Sequence, residues 1–158
     1  MNPLRWLPLA TSLIVMPSAA HALCIHNGEL YAKTTLGQEY REARWVVRAR
    51  VLSASAWEDT ETNGTLYRLQ VVHRFKGELP EQFTFSTERN SGGFYLDNDS
   101  GGPDVDGEYL LFLIPNPRAL GPPIVRNSLW VNYNCGQSRR WSAVASADRT
   151  ELAALSSR

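Results

Sequence analysis

Residues 44–51, RWVVRARV, decide the fold, because apolar and charged side chains alternate along them. Arg48 and Arg50 fall on one face of an extended chain. The other face carries Trp45, Val47, Ala49 and Val51. A period of two is typical of a β-strand that buries one face. The stretch therefore predicts a half-buried strand at the start of a β-rich domain.

Four further segments carry strand patterns. Residues 67–75 and 82–87 alternate in the same way as residues 44–51. Residues 109–114 are continuously apolar, as expected of a strand that is covered on both faces. Residues 129–135 supply the fifth strand pattern, and the Gly-, Asn- and Asp-rich residues 88–107 predict a long loop.

Short helices are expected beside these strands. Residues 29–44 place apolar side chains three and four positions apart, which predicts a short amphipathic helix. Near the C-terminus, Asp148 and Glu151 have capping-box spacing, which predicts the start of a final helix. Together these patterns predict a mainly β fold, a five-stranded OB-type barrel with short flanking helices.

The first 22 residues have the pattern of a secretory signal peptide. One positive charge, Arg5, precedes the apolar residues 7–16, and the sequence Ala20-His21-Ala22 fits a cleavage site. The apolar part is too short to span a bilayer. We therefore expect residues 1–22 to be removed and residues 23–158 to form one domain in the periplasm or outside the cell, with no membrane span.

Charge and motifs narrow the classes of function. Sixteen basic and sixteen acidic residues balance, which gives no basis for binding nucleic acid. The sequence has neither the G-x-S-x-G nor the H-E-x-x-H motif. We therefore expect a protein that is not an enzyme and that needs no cofactor.

The two cysteines, Cys24 and Cys135, admit two interpretations. In an exported protein an even pair most simply forms one disulfide. The alternative is a metal site formed by Cys24, His26 and Cys135, for which His73 would have to supply the fourth ligand. The disulfide needs no further residue and is the simpler prediction.

The acidic segment 97–108 is a candidate cation site. Asp97 and Asp99 match the first and third positions of a helix–loop–helix calcium site. However, Gly101 removes the ligand at the fifth position, and Pro103 occupies the seventh. A solvated loop is the simpler interpretation. The low-affinity calcium alternative would use Asp97, Asp99, Asp104 and Asp106 as ligands.

Four segments follow one another in the chain: RWVVRARV at 44–51, a strand pattern that ends in Phe-Lys-Gly at 67–77, GEYLLFL at 107–113 and Asn-Cys-Gly at 134–136. In this order they resemble netrin-like domains, the class that includes tissue inhibitors of metalloproteinases. Residues 44–51 resemble their first strand, and residues 67–77, which end in Phe-Lys-Gly, are similar to their second. Residues 107–113, GEYLLFL, resemble their G-x-x-Y-L-x-F strand. Residues 134–136, Asn-Cys-Gly, resemble the late cysteine that bonds to the N-terminal segment. The resemblance implies an OB-type barrel and the Cys24–Cys135 pairing.

The chain also departs from that family at its N-terminus. Family inhibitors begin with C-x-C, and the amine and carbonyl of the first cysteine chelate the protease zinc. Ala22 stands where that cysteine would be, and Ser100-Gly101-Gly102 stands near the place of its partner. A mature chain that starts at Leu23 would lack the chelating group.

The function expected from these observations is that of an exported, non-catalytic binding module. Its partner would be a protein or a surface polymer. The expected contact residues are Leu23, Cys24, Ile25 and His26. The alternatives are a protease inhibitor that acts through residues 23–28 and a calcium-binding structural protein that uses residues 97–108.

Overall fold

The computed structural model describes residues 24–89, 93–118 and 120–157. This part of the chain is mainly β, as predicted. The strands are β1 (Ile25–His26), β2 (Glu29–Leu30), β3 (Trp45–Glu58), β4 (Asn63–Lys76), β5 (Gln82–Glu88), β6 (Glu108–Pro115), β7 (Leu129–Val131) and β8 (Arg139–Arg140). The helices are α1 (Leu36–Glu42), α2 (Pro123–Arg126) and α3 (Ser146–Ser156), and Trp141–Ala143 forms one 3-10 turn.

Five of these strands close into a barrel. They follow the order β3–β4–β5–β7–β6 around the ring, and β6 pairs again with β3. Neighbours are antiparallel except β5 and β7, which run parallel and meet at Phe85 and Leu129. β8 pairs with β6, opposite Tyr109 and Leu110. The predicted five-stranded OB-type barrel is confirmed.

The two faces of β3 and β6 contact two different apolar clusters. The first fills the barrel interior and includes Val47, Leu69, Phe85 and Leu111. The second lies outside the barrel under α1 and α3, and contains Leu36, Ala43, Val46, Leu110, Phe112, Val144 and Leu152. Because β6 is covered on both sides, its apolar residues are continuous rather than alternating.

The last of the five predicted strands, β7, and the first helix, α1, are shorter than predicted. β7 ends at Val131 rather than at residue 135, because the chain turns there: the Gly136 N–H donates to the Tyr133 carbonyl at 3.1 Å. α1 begins only at Leu36, after Thr35, whose hydroxyl accepts a hydrogen bond from the Gln38 N–H at 3.1 Å. Such a cap satisfies one of the free N–H groups at a helix start.

The predicted capping box at the last helix is wrong. α3 begins at Ser146, its N-cap is Ala145, and no side chain caps it. Asp148 instead accepts a hydrogen bond from the Arg139 guanidinium at 2.5 Å. This ion pair joins α3 to β8, so the acidic residue in the first turn serves tertiary packing rather than capping.

The predicted signal peptide, residues 1–22, lies outside the described residues. Among the residues that the structure describes, no helix is long and apolar enough to cross a membrane.

The two cysteines form the predicted disulfide. Cys24 and Cys135 are 111 residues apart in sequence, and their Cα atoms lie 6.0 Å apart. This separation lies in the usual range for a disulfide. The alternative metal site of Cys24, His26 and Cys135 is wrong, because each sulfur is bonded to the other rather than available as a thiolate.

We predict that Cys135→Ser lowers the free energy of unfolding by about 2–5 kcal/mol, because the open chain gains entropy when it unfolds. Chemical denaturation would measure the change. Asn134→Ser, in the same turn, is the matched control and should retain the stability of the parent protein. Equal stability of the Cys135→Ser variant and its parent would contradict the prediction.

Candidate functional site

The N-terminal part of the described chain forms a small hairpin, β1 and β2, outside the barrel. Its turn consists of Asn27 and Gly28, whose φ angles are positive, 49° and 83°. Two successive residues with positive φ are typical of a type I′ turn, whose twist matches that of the flanking strands. Asn-Gly is the preferred sequence for this turn, which explains why the chain reverses here.

The hairpin presents apolar side chains to solvent. Ile25 and Leu30 are directly opposite each other, so their side chains project from the same face. They are 58% and 52% exposed, and the following residue, Tyr31, is 50% exposed. Six large apolar side chains are exposed in the described part of the chain, and half of them lie within residues 25–31. We call Ile25, Leu30 and Tyr31 the N-terminal ridge.

The opposite face of the hairpin contacts the body of the protein through His26. This side chain is only 9% exposed, and its Nε2 lies 3.0 Å from Glu42 Oε2 on α1. Its ring lies over Tyr133, with the ring centroids 4.7 Å apart. The Tyr133 hydroxyl donates to the Ala32 carbonyl at 3.2 Å. These contacts fix the hairpin against α1 and against the chain after β7.

Both ends of the hairpin are fixed as well. The Cys24–Cys135 disulfide comes directly before β1. The backbone N–H of Tyr31 donates to the carbonyl of Cys24 at 2.7 Å and joins the two ends. The N-terminal ridge is therefore held on a backbone that is restrained by a covalent bond, by the contact of His26 with Glu42 and by hydrogen bonds.

Two depressions flank the ridge. One, of about 240 Å³, lies beside Ile25 and includes Trp130 and Tyr133 in its wall. The other, of about 410 Å³, lies beside Tyr31 and includes Lys33 and Gln137. Each depression is thus lined in part by a residue of the N-terminal ridge.

A buried carboxyl group, Glu39 on α1, supports the turn that carries the disulfide. Its Oε1 accepts hydrogen bonds from the Thr34 hydroxyl and from the Gln137 N–H, the latter at 2.8 Å. Its Oε2 is buried without a hydrogen-bond partner. A Cβ at Gly136 would overlap this carboxylate, so a larger residue there would displace the Glu39 side chain. Burial raises the pKa of Glu39, although the hydrogen bonds from Thr34 and Gln137 and the nearby His26 act in the opposite direction.

The acidic loop is joined by arginines to β8 and to the residue that follows β5. The Arg140 guanidinium lies 2.8 Å from Asp99 Oδ1 and 3.2 Å from Asp104 Oδ2. Asp97 Oδ2 lies 3.2 Å from the Arg89 guanidinium. Within the described ranges, no three His, Cys, Asp or Glu side chains are grouped closely enough to hold a metal ion. Calcium binding by this loop stays an untested alternative, and the geometry does not favour it.

A cluster of basic side chains around Trp141 also makes contacts within the protein. The guanidinium carbons of Arg48 and Arg149 each lie 4.7 Å from the centroid of the Trp141 ring. Such cation–π contacts cover the ring and help to hold α3 beside the barrel. This cluster is therefore explained by packing.

The structure places the four residues expected to bind a partner in different environments. Leu23 lies outside the described residues. Cys24 is buried in the disulfide, His26 faces the body, and Ile25 is the accessible member. Their role in binding stays a prediction.

Sequence reasoning missed Leu30 and Tyr31 as surface residues, because it included them in a helix over residues 29–44. Asn27-Gly28 was the available signal. It lies between the two apolar positions Ile25 and Leu30, an arrangement that is a strong sequence indication of a hairpin.

Comparisons with known proteins do not assign this OB-type barrel to a family: no family model matches the chain, and no curated protein matches it significantly.

We predict that the free energy of unfolding of the Glu39→Gln variant increases, relative to that of the parent protein, as the pH rises. The raised pKa means that the folded state binds the proton of Glu39 more tightly than the unfolded state. The contribution of the Glu39 carboxyl group to stability is therefore present at a pH below its pKa in the unfolded chain, near 4.5. It is lost as the pH rises through the pKa of Glu39 in the folded protein. Urea unfolding of both proteins at about pH 4 and about pH 8 would measure the difference.

Glu42→Gln is the matched control, and its effect should have the opposite sign. Partial burial acts to raise the pKa of Glu42, but hydrogen bonds from Gln38 and Asn132 and the charge of His26 outweigh it and lower the pKa. The folded state thus favours the ionised form of Glu42. Glu42→Gln should therefore lower the free energy of unfolding more at about pH 8 than at about pH 4. The same pH trend in both variants would contradict this assignment.

We also predict that calcium at about 1–5 mM leaves the melting temperature unchanged, because Asp97, Asp99 and Asp104 are paired with arginines and, in the part of the chain that the structure describes, the acidic side chains of the loop are not grouped closely enough to hold a metal ion. Thermal unfolding with calcium, and with magnesium as the control ion, would test this. A calcium-specific rise that Asp99→Asn abolishes would overturn the prediction.

Proposed function

We propose that this protein is an exported, non-catalytic binding module that recognises a protein partner through the N-terminal ridge. The observation that carries the proposal is the orientation of the hairpin, which exposes Ile25 and Leu30 and turns His26 inward. In a β-hairpin on a folded domain the opposite arrangement is expected, because burying apolar side chains is favourable. A concentrated group of exposed apolar side chains is typical of a binding surface.

The chemistry of the ridge favours a protein over a surface polymer. Ile25 and Leu30 have aliphatic side chains, which gain most from burial in an apolar depression of a partner. Recognition of a hydrophilic polymer would instead need converging hydrogen-bonding groups. Tyr31 adds a large side chain with a hydroxyl group, a combination that is common in protein interfaces.

The restraint of the hairpin supports the same proposal. Binding is weakened when a flexible segment must first be ordered. Here the disulfide, the 3.0 Å contact of His26 Nε2 with Glu42 Oε2 and the hydrogen bond between Tyr31 and Cys24 already order the backbone. Little conformational entropy remains to be lost when a partner binds.

The contacts of the histidines support a non-catalytic role. His26 pairs with Glu42, and the ring of His73 lies against Phe75 with the centroids 4.5 Å apart. In the described part of the chain, each histidine thus has contacts that account for its position. The disulfide supports a location outside the cytoplasm, because such bonds persist in oxidising compartments.

We further propose that the chain is a netrin-like domain. The strand order of the barrel and the bond between Cys24 and Cys135 support the resemblance. Protease inhibition through residues 23–28 is the second candidate function. The observation that favours it is that the restrained, exposed hairpin begins within this segment, at Ile25.

The test is site-specific photocrosslinking in the cell that produces the protein. A photoreactive amino acid replaces Ile25, and in a second protein it replaces Val105, which is also about half exposed (51%) but lies away from the hairpin. We expect a discrete adduct with another protein from position 25 and none from position 105. Mass spectrometry would identify the captured protein, and capture of a protease would favour the inhibitor alternative.

A second variant tests whether the whole ridge contributes. Adding Leu30→Asp to the position-25 crosslinker should reduce the adduct about tenfold or more, since apolar contacts at the centre of an interface contribute most of its binding energy. Val72→Asp, at an exposed position on β4, is the control and should leave the adduct unchanged. Equal adducts from positions 25 and 105 would contradict the proposal.

A further inference from the structure

The second half of β3 has one unpaired edge. β3 pairs with β6 only over the residues from Trp45 to Arg50. At Val51 the neighbouring chain departs: the Val51 N–H donates to Gly107, and the Val51 carbonyl accepts from Asp106, both at 2.9 Å. Beyond the irregularity at residues 51–53, β3 continues to Glu58 with β4 on one side. In the described part of the chain, no backbone hydrogen bond reaches residues 54–58 from the other side.

The register identifies the backbone groups that are free. At the tip of the hairpin, the Asp59 N–H donates to the Thr62 carbonyl at 2.9 Å. Because hydrogen-bonded pairs alternate along an antiparallel ladder, the odd-numbered residues 53, 55 and 57 direct their N–H and C=O groups towards β4. The N–H and C=O groups of Ala54, Ala56 and Glu58 therefore point to the free edge.

This edge has only part of the usual protection: an irregularity at residues 51–53 and one charge. Natural proteins discourage edge pairing with proline, with lysine or with other charged side chains. Residues 53–58 are SASAWE, and the only charge lies at the end, on Glu58. Ala56, in the middle, is exposed. The edge is thus open to another strand.

We propose that a second copy of this chain pairs with this edge in antiparallel orientation about a two-fold axis at Ala56. In this register Ala56 lies opposite Ala56 of the second copy, and Ala54 lies opposite Glu58. Each free N–H of the edge then meets a free C=O, with two hydrogen bonds at each of three positions. The result is a continuous sheet through β5, β4 and β3 of both copies.

The charges and side chains agree with self-pairing. Glu58 of one copy faces Ala54 of the other, so the two carboxylates are not opposite each other, an arrangement that would be destabilising. The central pair consists of alanines, which let the backbones approach. A two-fold axis makes the contact closed, so it ends at a dimer rather than a fibre.

A second copy fits the edge better than an extended peptide from another protein. Both edges of the dimer are already ordered by pairing with β4, whereas a free peptide would lose conformational entropy when it binds. The contact is short, so the dimer should be a weak one, with a dissociation constant in the micromolar range or above. This surface is separate from the N-terminal ridge, and either proposal can fail without the other.

Sedimentation equilibrium of the chain with its disulfide intact, from about 1 µM to about 1 mM, is the first test. We expect a reversible monomer–dimer equilibrium. Ala56→Pro removes an N–H that is not used in the pairing with β4, and it should raise the dissociation constant about tenfold or more. Ala56→Val keeps the N–H and is the matched control, with circular dichroism to verify the fold of both variants.

Cysteine crosslinking tests the register and does not depend on the proline variant. In Ala56→Cys the two new cysteines would lie about 5.5 Å apart between Cα atoms, within the range of a disulfide. In Ser53→Cys they would lie about 20 Å apart along the paired strands. Oxidation should therefore give a covalent dimer from Ala56→Cys and little from Ser53→Cys.

Three results would overturn the proposal. The first is a protein that stays monomeric at every concentration, which would leave an extended peptide as the occupant of the edge. The second is a dimer that Ala56→Pro leaves unchanged in a correctly folded protein. The third is equal crosslinking from Ala56→Cys and Ser53→Cys.

Discussion

The pairing of β3 on both of its edges, from Trp45 to Arg50, is the constraint on which the rest of the structure depends. Without the contact with β6, the strands would form an open sheet rather than a ring. Val46 and Val47 are both fully buried because the ring gives β3 two covered faces, one towards the barrel interior and one towards the outer helices. Register shifts within β3 provide the local bending that closure needs. Where the contact with β6 ends, β3 continues to Glu58 and is paired with β4 alone, which pairs in turn with β5.

The position of the hairpin depends on the same barrel. The outer face of β3 and β6 binds α1, and α1 supplies both Glu42, which pairs with His26, and Glu39, which supports the turn at Gly136. The barrel thus positions α1, and α1 positions the hairpin that carries the candidate binding surface. A buried carboxyl with one unpartnered oxygen is unfavourable in isolation. Here it joins α1 to the turn that carries the disulfide.

The barrel strands were predictable because the order of apolar and polar residues along each strand matches which of its faces are buried. β3 to β6 were located from alternating or continuous apolar residues, since each of these strands buries one face or both. β1 and β2 have two residues each, which is too short for any periodic pattern to develop. The hairpin also reverses the usual rule, because its apolar residues are exposed. The end of β7 and the start of α3 were misplaced because tertiary contacts, at Gly136 and between Asp148 and Arg139, determine them.

The disulfide also has a consequence for the time course of biosynthesis. Chains are made from the N-terminus, so Cys24 is synthesised 111 residues before Cys135. At typical synthesis rates this interval is on the order of 5–20 s. During it the first thiol has no correct partner, but it has no wrong one within the chain either, because the sequence contains only two cysteines. Oxidative maturation of a single chain therefore requires no disulfide isomerisation, and its one hazard is linkage to another molecule.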